Sequence, residues 1–439
     1  MTNHMNQPIV LSMDLSANSK HTYAIKDGPG STLATGSTTS STDSLEEMLE
    51  EVPDRQSREL AVVIEATGMA WFPIALFFEN RQATVYRVKA QKSEKFAAFL
   101  DQYCKTDQLD AQALGRLFYV IPDQLHEVWL PLGELKNLRR WCKRRENYVQ
   151  RRSDDKRRLK AIVKWALPQL AGRADQFSGK RMREIIAHAV DYKWVCTDMG
   201  EDRFKRWARK RYPSINEDQL DAILEAAEDV RSNGQDTDYD PRAVQEEAMD
   251  IVENLRYLDE KVEQIEDKMR EEYRQVLPDK PVDSAPGIGW KTEAVVKSYL
   301  GDGNRFANLS KTQAFVGMIP ETDQSGDTDR QGTDIRKDGP PLLRKFLYLA
   351  ADTARTLDPQ IARTYHDQMV NQGKTHQQAL CKCANKLLNR VMRILDDGRE
   401  YQLRDNDENP VDKERAREII DANYSVPDKI RRRRRDQAG

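Results

Sequence analysis

Residues 8–14, Pro-Ile-Val-Leu-Ser-Met-Asp, decide the fold of this chain, together with their counterpart at 60–65, Leu-Ala-Val-Val-Ile-Glu. Short apolar runs bounded by turn residues are typical of buried strands in a sheet that is covered on both faces. Each run ends in a carboxylate, Asp14 or Glu65. Because open α/β sheets usually place their sites at the C-terminal ends of strands, the two runs predict an acidic site at one edge of a sheet.

Two further acids, Asp107 and Asp110, lie in residues 105–111, Lys-Thr-Asp-Gln-Leu-Asp-Ala. Their spacing of three residues places both side chains on one face of a helix. Four carboxylates that converge repel one another unless they are protonated or bridged by cations. Mg²⁺ or Mn²⁺, which prefer oxygen ligands, meet that need. The four acids therefore predict a divalent metal site.

The order of predicted elements supports an α/β domain over residues 1–130. Three strands, 8–14, 20–26 and 32–37, follow one another with short connections, and Gly28-Pro29-Gly30 marks a turn. Helices then alternate with the strands 60–65 and 83–88, and the segments after residue 90 are helical. Three hairpin-linked strands followed by alternating helices and strands predict an α/β domain.

At these residues the chain resembles the DEDD transposases of the insertion sequence 110 and 1111 groups, relatives of the Piv-type DNA invertases. The strings that carry the resemblance are Ile-Glu-Ala-Thr-Gly at 64–68 and Lys-Thr-Asp-x-x-Asp-Ala at 105–111. The first motif departs from the family, which usually has glycine where this chain has Ser12. The resemblance implies that the first domain is RuvC-like, with an RNase H-type α/β fold.

The second half of the chain also resembles the family, in its C-terminal transposase domain. The matching strings are Asp-Ser-Ala-Pro-Gly-Ile-Gly at 283–289, Phe-Val-Gly-Met-Ile-Pro at 315–320, Gln-Ser-Gly at 324–326, Ile-Arg-Lys-Asp-Gly at 335–339 and Leu-Arg-Lys-Phe-Leu-Tyr-Leu-Ala-Ala at 343–351. The resemblance covers roughly residues 8–130 and 245–395 and keeps the order of the motifs.

The resemblance implies an activity and a set of site residues. Asp14, Glu65, Asp107 and Asp110 correspond to the catalytic, metal-binding tetrad, and Ser325 falls at the position of the catalytic serine. The implied protein is a DNA transposase that forms a covalent phosphoserine link. The resemblance also implies an element-encoded bridge RNA. It further implies a dimer or tetramer, in which the tetrad of one protomer works with the serine of another.

The distribution of charge indicates nucleic-acid contact, although the net charge is only −2. Thirteen Lys or Arg residues and three acids lie between Lys136 and Lys164, and five consecutive arginines occupy 431–435. The helix predicted for this basic stretch can equally be a solvated face that contacts no nucleic acid. The candidate nucleic-acid-binding residues are Arg139, Arg140, Lys143, Arg144, Arg145, Arg151, Arg152, Gly287, Gly289, Lys291, Arg336, Lys337, Arg344 and Lys345. The two glycines resemble a helix-hairpin-helix turn that approaches phosphate, or they form a tight turn that packs a core.

The rest of the chain divides into three predicted regions. Residues 131–278 form a helical region, in which apolar residues over 244–269 recur at spacings of four and three, the pattern of a coiled coil. The acidic helix that carries this apolar seam pairs either with the basic helix 132–167 or with a helix of another protomer. An inserted helical subdomain, 169–238, has Trp194 and Trp207 as core candidates. A mostly α-helical transposase domain, 279–398, and a charged, flexible tail, 399–439, follow.

Cysteine and hydropathy patterns bound the compartment. The five cysteines form no CxxC pair, and the six histidines have no zinc-ligand spacing. No signal peptide or long apolar span is visible, so we expect a cytoplasmic protein with no membrane contact. The family resemblance further implies a prokaryotic, nucleoid-associated protein.

Three functions agree with these patterns. The first is a DNA recombinase that moves an insertion sequence. The second is a RuvC-like, structure-specific nuclease that cuts DNA with metal-activated water, in which Ser325 is structural. The third is a non-catalytic nucleic-acid-binding derivative, and the four intact acids argue against it.

Overall fold

The computed structural model describes residues 7–16, 20–65, 70–99, 106–131, 133–173, 179–233, 240–318, 324–325, 328–329 and 339–430. The chain divides into two compact units. The first ends at Leu130, which is also the predicted end of the α/β domain, and the second begins at Pro131.

The first unit is built on a five-stranded mixed sheet. Its strands are β1 (Ile9–Asp14), β2 (His21–Lys26), β3 (Ala34–Thr38), β4 (Leu60–Glu65) and β5 (Thr84–Val88). Their order in the sheet is β3-β2-β1-β4-β5, with β1 antiparallel to β2 and parallel to β4. The sheet confirms the predicted α/β domain, and its mixed topology fits the RNase H-type fold that the resemblance implies.

Helices cover both faces of this sheet, which explains why β1 and β4 are apolar except for Ser12 and the acids at their ends. The helices are α1 (Thr42–Glu50), α2 (Trp71–Glu79), α3 (Ala90–Phe99) and α4 (Asp107–Val120). Alternate residues of β1 enter opposite cores: Ile9 and Leu11 pack on the face with α1 and α2, and Val10 packs on the face with α4. A strand buried on both faces needs apolar side chains at every position.

The second unit is helical in nearly all of its described part. Its helices are α5 (Gly133–Ala166), α6 (Lys180–Ala189), α7 (Glu201–Arg211), α8 (Glu217–Ser232), α9 (Pro241–Gln275), α10 (Trp290–Leu300), α11 (Leu309–Val316), α12 (Pro341–Ala354), α13 (Pro359–His366), α14 (His376–Asp397) and α15 (Lys413–Asn423). Two short strands, β6 (Gln324–Ser325) and β7 (Thr328–Asp329), pair antiparallel.

The long helices α5 and α9 pack against each other within one chain. Arg145 pairs with Glu266 at 2.7 Å and Arg152 pairs with Asp259 at 2.9 Å, so the helices run antiparallel. The apolar seam predicted over 244–269 faces inward, since Leu255 and Leu258 are each 1% exposed. Of the two pairings that the sequence allowed, the structure therefore shows the one between the basic and the acidic helix.

The inserted subdomain has a core of its own, formed by α6, α7 and α8 with the end of α5. Phe204 is fully buried there, and Trp194 and Trp207 are half-buried against the same core. Their ring centroids lie 6.0 Å apart in an edge-to-face contact. Both tryptophans therefore pack as the sequence predicted.

Residues 399–430 differ from the predicted flexible tail. Helix α15 buries Ala416, and Val426 enters the core that α10, α12 and α14 form. The Tyr401 hydroxyl donates a hydrogen bond to the Asp358 carboxylate, which also pairs with Arg390. The segment is charged, yet a few apolar residues and a buried ion pair hold it on the domain. The run Arg431–Arg435 lies outside the described residues.

No helix in the described part of the chain is both long and apolar enough to cross a membrane.

We expect Leu258→Asp to lower the free energy of unfolding by at least about 3 kcal/mol, because it removes a buried leucine and buries an unpaired charge between α5 and α9. Tyr257→Asp is the matched control, since the neighbouring Tyr257 side chain is 48% exposed. Chemical denaturation of both variants measures the difference. Equal stability of the two would show that the seam is not a core.

Candidate active site

Asp14 and Glu65 end two adjacent parallel strands. The register of β1 and β4 pairs Met13 with Ile64, so the next residue of each strand lies at the same edge of the sheet. Both carboxylates are half-buried. The structure thus brings the two strand-end acids side by side, as the sequence predicted.

Helix α4 carries the other two acids to this edge. It runs antiparallel to β1, because the Ser12 hydroxyl donates to the Ala111 carbonyl at 2.7 Å and the Tyr119 hydroxyl donates to the Pro8 carbonyl at 3.0 Å. Its first turn, with Asp107 and Asp110, therefore lies at the Asp14 end of β1.

Local sequence sets where α4 begins and how closely it packs. The Thr106 hydroxyl accepts a hydrogen bond from the Leu109 amide, which is a standard N-cap. Gly115 faces the sheet so closely that a Cβ there would lie 2.5 Å from Lys26 Cδ and 2.8 Å from Ser12 Oγ. Ser12 stands where the family usually has glycine, and its hydroxyl ties the helix to the strand.

Ser93 on α3 holds the Glu65 side chain. Its hydroxyl oxygen lies 2.5 Å from a Glu65 carboxylate oxygen and 2.9 Å from the Ala90 carbonyl. Sequence reasoning missed this residue. The available signal was a hydroxyl in the first turn of the helix that follows β5, on the face of the sheet that also carries α4.

The donor set at this edge fits a hard divalent cation, because all four candidate ligands are carboxylates. Asp14 and Glu65 come from strands, and Asp107 and Asp110 come from one turn of helix. Within the described ranges, no three carboxylate, imidazole or thiol side chains are already gathered closely enough to hold a metal ion. The fold thus brings the elements that carry these acids to one edge of the sheet.

Ser325 lies in the second unit, at the end of β6. Its backbone pairs with Thr328 of β7 in a two-stranded ladder. The neighbouring candidates Arg336 and Lys337 fall outside the described residues.

Several predicted phosphate contacts already have partners within the chain. Lys291 pairs with Glu266 at 2.6 Å, and Lys345 pairs with Glu146 at 2.5 Å. Arg145 and Arg152 make the α5–α9 ion pairs described above. Burial alone would raise the pKa of Glu266, but hydrogen bonds from Lys291 and Arg145 outweigh it and lower this pKa. These cations hold helices together in the free protein.

Two more candidates have structural contacts. The Arg139 guanidinium lies 4.3 Å from the centre of the Tyr299 ring, and burial lowers the pKa of Arg139. Arg344 donates to the carbonyls of Val316 and Gly339, each at 3.3 Å.

The exposed cations of α5 form a different group. Arg140, Lys143, Arg144 and Arg151 all have exposed side chains. The guanidinium groups of Arg144 and Arg151 lie within 6 Å of the rings of Trp141 and Tyr148, at 5.5 and 5.9 Å. These four residues form the exposed cationic face of α5, the part of the basic helix that a ligand can reach.

The two glycines before α10 differ in their surroundings. Gly287 has φ +82°, and a Cβ there would lie 2.2 Å from the Ala350 carbonyl oxygen of α12. Close packing between backbones is therefore sufficient to require this glycine. Gly289 is the N-cap of α10, and a Cβ there would meet open space.

Two family models match the chain. The DEDD transposase model of insertion sequence 110, described as a transposase, matches residues 13–168, and the model described as Transposase IS116/IS110/IS902 family matches residues 279–367. The first span holds all four acids, and the second holds Ser325. Together they cover more than half of the chain.

Individual relatives agree with the models. An insertion element IS110 protein of Streptomyces coelicolor is 34% identical over 28% of this chain and 29% of its own length. The pilin gene-inverting protein of Moraxella lacunata is 26% identical over 27% of this chain and 37% of its own length. An insertion element IS116 protein of Streptomyces clavuligerus is 23% identical over 79% of this chain and 85% of its own length.

The chain thus spans only about a third of the length of the first two relatives. Both family models nevertheless match in the expected order, one on each side of the inserted subdomain. The acid-bearing sheet and the serine-bearing helical domain are the two parts that they describe. The chain belongs to the IS110 family of DEDD transposases.

Proposed function

We propose that this protein is a DNA recombinase that moves an insertion sequence by strand cleavage and exchange through a covalent phosphoserine intermediate. The observation that carries the proposal is the acidic edge of the sheet, where β1, β4 and the first turn of α4 present four carboxylates. The name of the Moraxella relative, a gene-inverting protein, supports DNA rearrangement as the reaction class.

Mg²⁺ is the cofactor that we propose for this edge, with Mn²⁺ as its substitute. When bound, such an ion supplies Lewis-acid stabilisation of charge on phosphate oxygens. Asp14, Glu65, Asp107 and Asp110 would be its ligands. Ser93 would keep the Glu65 carboxylate in one orientation, and the Ser12 hydroxyl would hold α4 at its height above β1.

The covalent step belongs to Ser325. Its hydroxyl oxygen attacks the phosphorus of the scissile phosphodiester, and the serine gives up its proton. One bond from phosphorus to a sugar oxygen breaks, and that oxygen leaves as a DNA hydroxyl after taking up a proton. Exchange reverses the step when the hydroxyl of a partner strand attacks the phosphoserine, so the number of phosphodiester bonds is conserved without ATP.

An element-encoded bridge RNA and a homo-oligomer, a dimer or tetramer, complete the proposal. The protein would contact the RNA through backbone and shape, as proteins do with structured RNA. The exposed cationic face of α5, with Arg140, Lys143, Arg144 and Arg151, is the surface that supports nucleic-acid binding. The RuvC-like nuclease is the alternative that the serine experiment below tests.

We expect Asp14→Asn, Glu65→Gln and Asp110→Asn each to abolish DNA cleavage and to weaken Mn²⁺ binding, because each removes a negative ligand. Ser93→Ala should weaken Mn²⁺ binding about tenfold, as the loss of an outer-shell hydrogen bond typically does. Ser57→Ala, at an exposed position of the same unit, is the control. Calorimetric titration with Mn²⁺ measures affinity. Wild-type Mn²⁺ affinity in the acid variants would refute the metal site.

We expect Ser325→Ala to retain Mn²⁺ and DNA affinity and to lose strand cleavage, because only the covalent step needs the hydroxyl. Denaturing electrophoresis of labelled DNA after reaction detects the adduct, and peptide mapping locates it. An adduct at Ser325 in the wild type supports the recombinase. Efficient cleavage by Ser325→Ala, with no adduct in the wild type, would establish the metal-water nuclease.

We expect the double charge reversal Arg144→Glu with Arg151→Glu to weaken DNA binding and to flatten its salt dependence, because both cations are exposed. The matched pair, Arg145→Glu with Arg152→Glu, breaks the α5–α9 ion pairs and should mainly lower the unfolding temperature. Fluorescence anisotropy across a salt series and thermal unfolding separate the two effects. The same salt slope in the first variant and the wild type would exclude this face.

A further inference from the structure

A basic groove lies in the second unit, where the inserted subdomain meets α9, and its lining residues include none of the candidate site residues described above. It is a cavity of about 240 Å³ between α6, the end of α7 and the middle of α9. We call it the α6–α9 groove. Its basic lining residues are Lys180, Arg181, Arg183, Arg211 and Arg256.

Two buried carboxylates contact the cations of the groove: Asp259, which lines it, and Glu184, which lies behind the lining residues Arg211 and Arg256. Asp259 is 7% exposed and contacts Arg152, Arg183 and Lys180 at 2.9, 3.4 and 3.8 Å. One negative charge thus meets three positive charges.

Glu184, also 7% exposed, is shared in the same way. It pairs with Arg211 at 3.2 Å and with Arg256, and it accepts a hydrogen bond from the Tyr212 hydroxyl. These two carboxylates therefore balance two of the five positive charges that contact them.

Other groups around the groove leave a positive surplus. Glu260 and Glu263 also line it, and Glu263 contacts Lys180 at 3.4 Å, which brings the carboxylates to four. Lys156 and Arg181 bring the cations to seven. The pKa of Lys156 is lowered by burial and then by the nearby charges of Arg183 and Arg152, as expected in a positive environment.

The shape of the groove suits an anion with several oxygens. The buried Arg183 and Asp259 form its base, whereas the Arg211 and Arg256 side chains are 53% and 50% exposed at its mouth. Guanidinium groups present paired N–H donors that match phosphate oxygens. A guanidinium has five N–H donors, so Arg211 and Arg256 can keep their contacts with Glu184 while their other N–H groups donate to a ligand at the mouth.

We propose that the α6–α9 groove binds a phosphate group of a nucleic-acid backbone. In the sequence, all of the groove's lining residues fall between the two spans that the family models match, so the groove would add a contact from outside both spans. The ligand class is a phosphodiester strand, from DNA or from RNA, because five cationic side chains outnumber three carboxylates in the lining, and its other lining residues are Tyr212 and Val252.

The test compares two double variants of the full-length chain. Arg181→Gln with Arg256→Gln removes two cations from the groove. Arg209→Gln with Arg231→Gln removes two exposed cations of α7 and α8 that pair with Glu217 and Glu228 outside it. Affinity for a labelled 30-nucleotide single-stranded RNA, the same sequence as single-stranded DNA, and its duplex is measured across a salt series.

We expect the groove variant to lose about tenfold in affinity for at least one probe at low salt, with the log–log salt slope reduced by about 1.4 for a single strand. The control should match the wild type. The probe with the larger loss identifies the source of the phosphate. Unchanged affinity and slope for all three probes in the groove variant would overturn the proposal and leave only an internal ion-pair network.

Thermal unfolding of both variants guards against misfolding. If the double variant unfolds early, the single variant Arg181→Gln carries the test, since the Arg181 side chain is exposed. The covalent adduct at Ser325 of the wild type tests the recombinase proposal separately. If the groove variant binds all three probes with wild-type affinity while the wild type forms the adduct, the groove proposal is refuted and the recombinase proposal stands.

Discussion

The contact between α4 and β1 is the constraint on which the candidate site depends. Two hydrogen bonds, from Ser12 to the Ala111 carbonyl and from Tyr119 to the Pro8 carbonyl, fix the direction of the helix over the strand. Gly115 permits the close approach. A helix in the opposite direction would put Asp107 and Asp110 at the far end of the sheet from Asp14. The chemistry of the acidic edge thus rests on packing between residues that have no chemical role themselves.

Several charged side chains of the second unit form ion pairs within the chain, and others are exposed for binding. The basic helix α5 lies against the acidic helix α9, and Arg145 and Arg152 form ion pairs there. A net charge of −2 conceals this arrangement, since opposite charges on two helices cancel in the sum. The exposed cations of α5 and the surplus positive charge of the α6–α9 groove are available to neutralise phosphates, and the counterions released in this way favour nucleic-acid binding.

The sequence predicted the sheet well because burial on both faces leaves an unmistakable apolar run. The strands predicted at 8–14 and 60–65 match β1 and β4 to within one residue at either end. The sequence could not show that Ser93 meets Glu65, because that contact joins residues 28 positions apart through tertiary packing. Residues 399–430 read as a tail since their composition is charged, and composition does not register a few well-placed apolar contacts such as Val426.

Repulsion between like charges bears on the candidate site. Like charges raise the free energy of any arrangement in which they converge without a cation. Two parallel strand ends and one helical turn carry the four acids, and within the described residues no three such side chains lie close enough together to hold a metal ion. Binding of a divalent ion would offset the repulsion, so ion affinity and site geometry are linked. The hydrogen bond from the Ser93 hydroxyl orients the Glu65 carboxylate, so less conformational entropy would be lost if Glu65 bound a cation.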